Sequence, residues 1–332
     1  MKHLFLSRRE FIRLGYLGSV IGLASCTFDA KESIISIPKG ILPKELLQNL
    51  PRYCQLNLIE TSAAINSSKF KKDNKDFDFL GIGDGWLKEI SLEEFQEIKS
   101  DELTSRLNRQ AILFMSSFGT EQYMKILPIG FSPWVMLFRS GKEWLPRAKE
   151  SWNVLLDPGL RGQIVLPESP RVVMSIADRM AIEDPLTRLR NHVKTYDDKN
   201  AINWVLSGEA RVAVLPLQYC FPYLSKDPRL SIAFPREGAP LNWTVILKSK
   251  STDKSFPHDW IKQTWEPPLV SKLLFRGWIP PLPFSELKKG GQTLPNDYKN
   301  ILFSSPESLQ NSWSMPPLTK LQEKRLLERW FN

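Results

Sequence analysis

The chain has 332 residues, 45 Lys and Arg against 36 Asp and Glu, a net charge of +9 and 42% hydrophobic residues. That composition suits a folded chain of one or two domains and excludes a disordered polyelectrolyte. The basic residues are scattered and interleaved with acids, so they read as solvated faces and no nucleic-acid partner is expected.

The first stretch with a recognisable purpose runs from Ser7 to Cys26, SRREFIRLGYLGSVIGLASC. It is too short for a membrane span, which needs about 20 predominantly apolar residues. Its order is that of a signal peptide: basic Lys2, Arg8, Arg9 and Arg13, then an apolar run, then small residues. Ser7 to Ile12 resembles the twin-arginine export motif around Arg8 and Arg9, and Leu23-Ala24-Ser25-Cys26 resembles a lipobox. Residues 1–25 are expected to be removed, Cys26 lipidated and 26–32 left as a tether. The expected location is periplasmic and membrane-anchored, with a membrane partner through the N-terminal lipid.

Ser33 to Ile37 is β-branched and predicts a strand closed by Pro38-Lys39-Gly40, and Pro43 opens a helix. Gln55 to Glu60 alternates as a half-buried strand, and 66–76 is a polar connection. Phe77 to Ile90 passes from strand to glycine turn to short helix, the α/β rhythm. Gly81, Gly83 and Gly85 do not spell GxGxxG, and no Lys-Ser/Thr pair follows, so no nucleotide site is expected. Two readings of this turn stay open: Asp84 and Trp86 face a cleft at the carboxyl end of a sheet, or Trp86 simply anchors the helix.

Trp134 to Phe138 is a continuous apolar run of strand length, as expected for a strand buried on both faces. A capped turn at Ser151, a strand at Gln163 to Leu166 and helical periodicity over Val172 to Ile182 follow. Then come a helix ended by Gly208, a strand at Val212 to Leu215, and two strands joined by a Pro/Gly turn within 231–249. Helices are predicted near 260–263, 270–275 and 319–330. Asp197-Asp198 reads as a solvated loop pair, and Trp134 and Trp152 as packing residues.

Four segments in this order resemble the polyamine-binding proteins of spermidine/putrescine ABC importers: SWNVLLDPGLRGQIVLPESPRVV, LSGEARVAVLP, AFPREGAPLNWTVILKS and LLFRGWIPP. The matching positions are Ser151, Trp152, Leu155, Pro158 and Gly162, then Gly208 and Glu209, then Pro235, Glu237 and Gly238. LGIGDGWLKEI resembles the Gly-Asp-x-Trp-Leu turn of a bacterial branch. The resemblance implies a type II periplasmic-binding-protein clamshell, two α/β lobes joined by crossing hinge strands, with lobe one at 33–131 plus 244–332 and lobe two at 132–243. It also implies a monomer that closes on a small-molecule solute and hands it to the transmembrane subunits of an ABC permease.

A polyamine needs carboxylates for its ammonium groups and aromatic faces for its methylenes. Where the family places an aspartate and a glutamate in lobe two, this chain has Ser169 and Val172. The family tryptophan after Gly-Glu is Pro216, and its Trp-x-Asp is Trp243-Thr244-Val245. The loop after the first strand, usually aromatic, is Pro38-Lys39-Gly40. The ligand-binding candidates are therefore Asp84, Trp86, Ser117, Ser169, Arg171, Gln218, Tyr219 and Trp243, with Ser116 and Asn242 beside them. Trp86 and Trp243 would serve as walls and Arg171 as a cation, which suits a neutral or zwitterionic solute.

Three cysteines and three histidines form no CxxC, HxH or HExxH, so no metal or other cofactor is expected. His192 and His258 belong to no catalytic constellation, so no enzyme is expected. A scaffold lipoprotein that kept the clamshell and lost its ligand is the alternative function.

Overall fold

The computed structural model describes residues 32–60 and 77–332. Arg8, Arg9 and Cys26, as well as the polar 66–76 connection, lie outside those residues. The described strands are β1 (Ser33–Pro38), β2 (Cys54–Ile59), β3 (Phe79–Gly83), β4 (Phe95–Gln96), β5 (Ile126–Arg139), β6 (Ile164–Leu166), β7 (Val193–Tyr196), β8 (Val212–Pro216), β9 (Leu230–Ala233), β10 (Pro240–Ser249) and β11 (Trp313–Ser314).

Their order is β2-β1-β3-β10-β5-β8-β6-β7, with β4 and β11 also on β10 and β9 on β5. β1 pairs in parallel with both β2 and β3, and β6 pairs in parallel with both β7 and β8. The long antiparallel strands β5 and β10 join these two parallel groups. β5 changes partner midway: Ile126 to Pro133 pair with β10, and Trp134 to Phe138 with β8.

The central strands are apolar without alternation because helices cover both faces: all five residues of β8 are buried, as are twelve of the fourteen in β5. The apolar run at 134–138 is thus the second half of a longer strand. Pro128, Gly130 and Pro133 interrupt the pattern in sequence, yet they are accommodated beside the register shift between Thr244 and Val245 and at the partner change. Gly130 leaves room for the Trp278 indole, where a Cβ would overlap the ring.

The helix predicted over 172–182 begins at Pro170, suited to a first turn that lacks a donor requirement, and ends at Ala177. β7 and the helices Arg109–Ser116, Leu217–Leu224, Phe284–Gly290 and Asn296–Phe303 are additional to the elements expected from sequence. Cys54 and Cys220 are free thiols. Trp152 is fully buried, its indole N–H donating to the Gly238 carbonyl at 2.9 Å, as its assignment to packing requires.

Candidate functional site

β6, β7 and β8 are parallel, so the loops after them emerge at one end of the sheet, where α/β folds gather ligand-contacting groups. A cavity of about 630 Å³ opens there. Its floor is Trp134, at the partner change of β5, with the end of β8 (Val214 to Pro216) and Asn242 of β10. The Ala201–Ser207 helix contributes Ile202 and Asn203, the Leu217–Leu224 helix Tyr219 and Tyr223, and the loop after β7 Asp198 and Lys199.

A second cavity of about 300 Å³ shares Tyr219 and continues to Gly40 to Glu45, Gln218 and Arg276. There Arg276 Nε lies 2.8 Å from Glu45 Oε1. Tyr219, half exposed, stands between the two spaces. Ser132, buried beneath, accepts the Gln218 backbone N–H at 2.9 Å and donates to the Gly277 carbonyl at 3.0 Å. Gly277 has φ +71° and lies so close to Leu217 that a Cβ would fall 2.7 Å from its carbonyl group. These contacts fix where the Leu217–Leu224 helix starts.

Asp198 is the acidic group of the larger cavity. Desolvation raises its carboxyl pKa, the charges of Glu168 and Asp197 raise it further, and the Glu168 backbone N–H, which donates to it, opposes the rise. It differs from its neighbour Asp197, which is held low first by the Trp204 indole N–H at 2.9 Å.

Of the residues singled out in the sequence, Gln218, Tyr219 and Asn242 line these cavities. Asp84, Trp86, Ser169 and Arg171 border neither of these two cavities; the first two follow β3 and the last two follow β6. Asp84 follows β3 and is buried. Desolvation lifts its carboxyl pKa to about 7, against N–H donation from Trp243 and Gly85 and the positive charge of Arg171. Trp86 is half-buried and packed on the core, and Ser169 precedes the helix that carries Arg171 without capping it through its side chain.

One expectation is corrected. Trp243 is no cavity wall: it is fully buried, stacked on Phe114 at 5.1 Å and bonded through its indole N–H to Ser314 Oγ at 2.8 Å. Successive strand residues point to opposite faces, so Asn242 reaches the cavity and its neighbour the core. Ser117 borders neither of the two cavities; its hydroxyl donates to the Phe114 carbonyl at 2.6 Å, and that of Ser116 to the Ile112 carbonyl at 2.8 Å. Asp198 is exposed and Trp134 packs against the core, as the sequence reads them, and both also border the larger cavity, which the sequence does not show. The usable signal was a strand, β7, ending immediately before Asp197, but Val-Lys-Thr-Tyr is too short and polar to announce itself.

The sequence pattern of the family described as bacterial extracellular solute-binding protein matches residues 93–267. No curated protein sequence matches the chain. Among solved structures, the substrate-binding protein PotD of a Streptococcus pneumoniae spermidine/putrescine ABC transporter, in complex with calcium and HEPES, superposes with a TM-score of 0.70 at 13% identity, over 90% of this chain and 97% of that one. An ABC transporter protein from Clostridium perfringens gives 0.63 at 16% identity over 90% and 98%. A ferric binding protein from Campylobacter jejuni gives 0.54 at 15% identity over 82% and 96%. The fold is the type II periplasmic binding fold.

Proposed function

Because the chain belongs to the family of bacterial extracellular solute-binding proteins, we propose that it captures a small cationic or zwitterionic solute around Tyr219 and delivers it to the transmembrane subunits of an ABC permease. The observation that carries this reading is the 630 Å³ cavity at the partner change of β5, with one carboxylate and three aromatic side chains on its wall. A single ammonium group would pair with Asp198, the adjacent carbons would lie against Trp134, Tyr219 and Tyr223, and an anionic group would meet Lys199 or the amides of Asn203 and Asn242. One carboxylate in this cavity suits one ammonium better than the several of a spermidine, since each unpaired buried charge costs several kcal/mol.

Capture proceeds by closure of a lobe at 33–131 plus 244–332 on one at 132–243, which requires that the solute bind the closed state more tightly. The twin arginines Arg8 and Arg9 export the chain folded, and lipid on Cys26 holds it at the outer surface of a membrane as a monomer. The test is a thermal-shift screen of refolded, ligand-stripped protein across amino acids, amines, polyamines and sugars. A saturable rise in melting temperature with a monocationic or zwitterionic compound is expected. No rise with any of them would leave the ligand-free scaffold as the function.

A further inference from the structure

The smaller cavity, of about 300 Å³, shares Tyr219 with the larger one and is bordered on its polar side by Lys44, Glu45, Gln218 and Arg276. It carries two cations against one carboxylate. In the larger cavity Asp198 and Lys199 balance each other. An anionic group therefore gains more from net charge in the smaller space than in the larger one.

Arg276 ends the Leu269–Phe275 helix, and its Nε donates to Glu45 Oε1 at 2.8 Å. Glu45 stands in the first turn of the Lys44–Leu47 helix with only 12% of its side chain exposed. A guanidinium has five N–H donors, and this contact uses one. The Nη1 and Nη2 groups meet no acceptor among the described residues. Their planar fork matches a carboxylate, which accepts from both at once. Glu45 Oε2 is buried and likewise accepts no hydrogen bond among the described residues. Glu45 thus holds Arg276 through a single oxygen at the Nε edge and leaves the Nη edge to another partner. Gln218, fixed through its backbone N–H on Ser132 Oγ at 2.9 Å, borders the same space.

We propose that Arg276 is the anion-binding residue of an elongated site: a solute whose ammonium lies beside Asp198 passes Tyr219 and places a carboxylate on the Nη edge of Arg276, which makes its class an ω-amino acid. The inference rests on the capture of a cation beside Asp198. Tyr219 borders both cavities and is half exposed, so its ring is available to the methylenes between the two charged ends. A diamine of the same length brings its second ammonium against Lys44 and Arg276, and like charges repel there. Glu45 is a positioning residue, acting on the solute through Arg276.

The test titrates 5-aminopentanoate and 6-aminohexanoate calorimetrically into ligand-stripped wild type, Arg276→Gln and the double variant Arg276→Gln/Glu45→Gln. Each is set beside the alkylamine with the same number of carbons, pentylamine or hexylamine, after circular dichroism shows the variants to be folded. The double variant removes the carboxylate that Arg276→Gln alone leaves buried without its cation. At least one amino acid is expected to bind the wild type about tenfold or more tighter than its alkylamine, and that ratio is expected to collapse toward one in the variants. Equal affinities for amine and amino acid in the wild type, no measurable binding of either amino acid, or a preference that survives in both variants overturns the assignment of Arg276. Unchanged alkylamine affinity in Asp198→Asn would instead overturn the capture reading. That result comes from a different variant and from a ligand without a carboxylate, so the two failures are distinguishable.

Discussion

Desolvation raises the carboxyl pKa of both the buried Asp84 and the exposed Asp198, and the two report different things. For Asp84 the folded value is about 7 against 3.8 ordinarily, so its contribution favours the folded state fully below about pH 4 and is lost as pH rises through 7. Asp84→Asn should therefore leave the melting temperature at pH 4 nearly unchanged and raise it by several degrees at pH 8, in scanning calorimetry across that range. A larger loss at pH 8 than at pH 4 would mean that the ionised carboxylate is the form that the fold requires. Asp198 sits at an open cavity, and its ionised form is the one that pairs with a cation. Affinity for a cationic solute should fall on acidification, beginning above the pH at which ordinary carboxylates titrate, and the fall should vanish in Asp198→Asn. The sequence exposes Asp84 through its glycine turn. It hides Asp198, because a carboxylate in a polar loop looks the same whether the loop faces bulk water or the mouth of a cavity.

At the scale of elements, the site depends on how β5, the Leu217–Leu224 helix and the Gly277 turn meet. Ser132→Ala would remove the hydroxyl that accepts the Gln218 N–H and donates to Gly277, leaving two buried backbone groups without that partner. The expected cost in urea unfolding is about 1–3 kcal/mol. Gly277→Ala should cost at least as much, because the left-handed backbone and the close approach to Leu217 both oppose a side chain. It should also weaken solute binding, since Tyr219 stands on the displaced helix. Trp330→Ala should raise hydrogen exchange at 320–331 and at 185–196 together, because Trp330 contacts Arg190 and Tyr196. The strands of strong apolar character, such as β8 and the second half of β5, were legible from composition and periodicity. The first half of β5 was not, since its prolines and glycine mimic a loop; they are tolerated because its ladder runs to β10 on one edge, with a register shift beside it and a change of partner after Pro133. Trp243 illustrates the same limit: an aromatic beside a cleft residue is placed in the core or the cavity by strand phase, and the bulge near Thr244 makes that phase hard to count in advance.

The whole molecule combines a fold that resemblance made legible with a candidate cavity whose lining the sequence did not announce. Chain order of short motifs survives divergence because it reflects the sheet connections, whereas ligand-contacting groups change with the ligand. Here a carboxylate after β7, Asp198, borders the cavity. The central claim is that one cation is held beside Asp198 in the cavity at the crossing strands. Its most direct measurement is calorimetric titration of ligand-stripped wild type and Asp198→Asn with the monocationic solute that gives the largest thermal shift. One site per chain is expected in the wild type, and at least a tenfold weaker site in the variant. Equal affinity in the two proteins would contradict it.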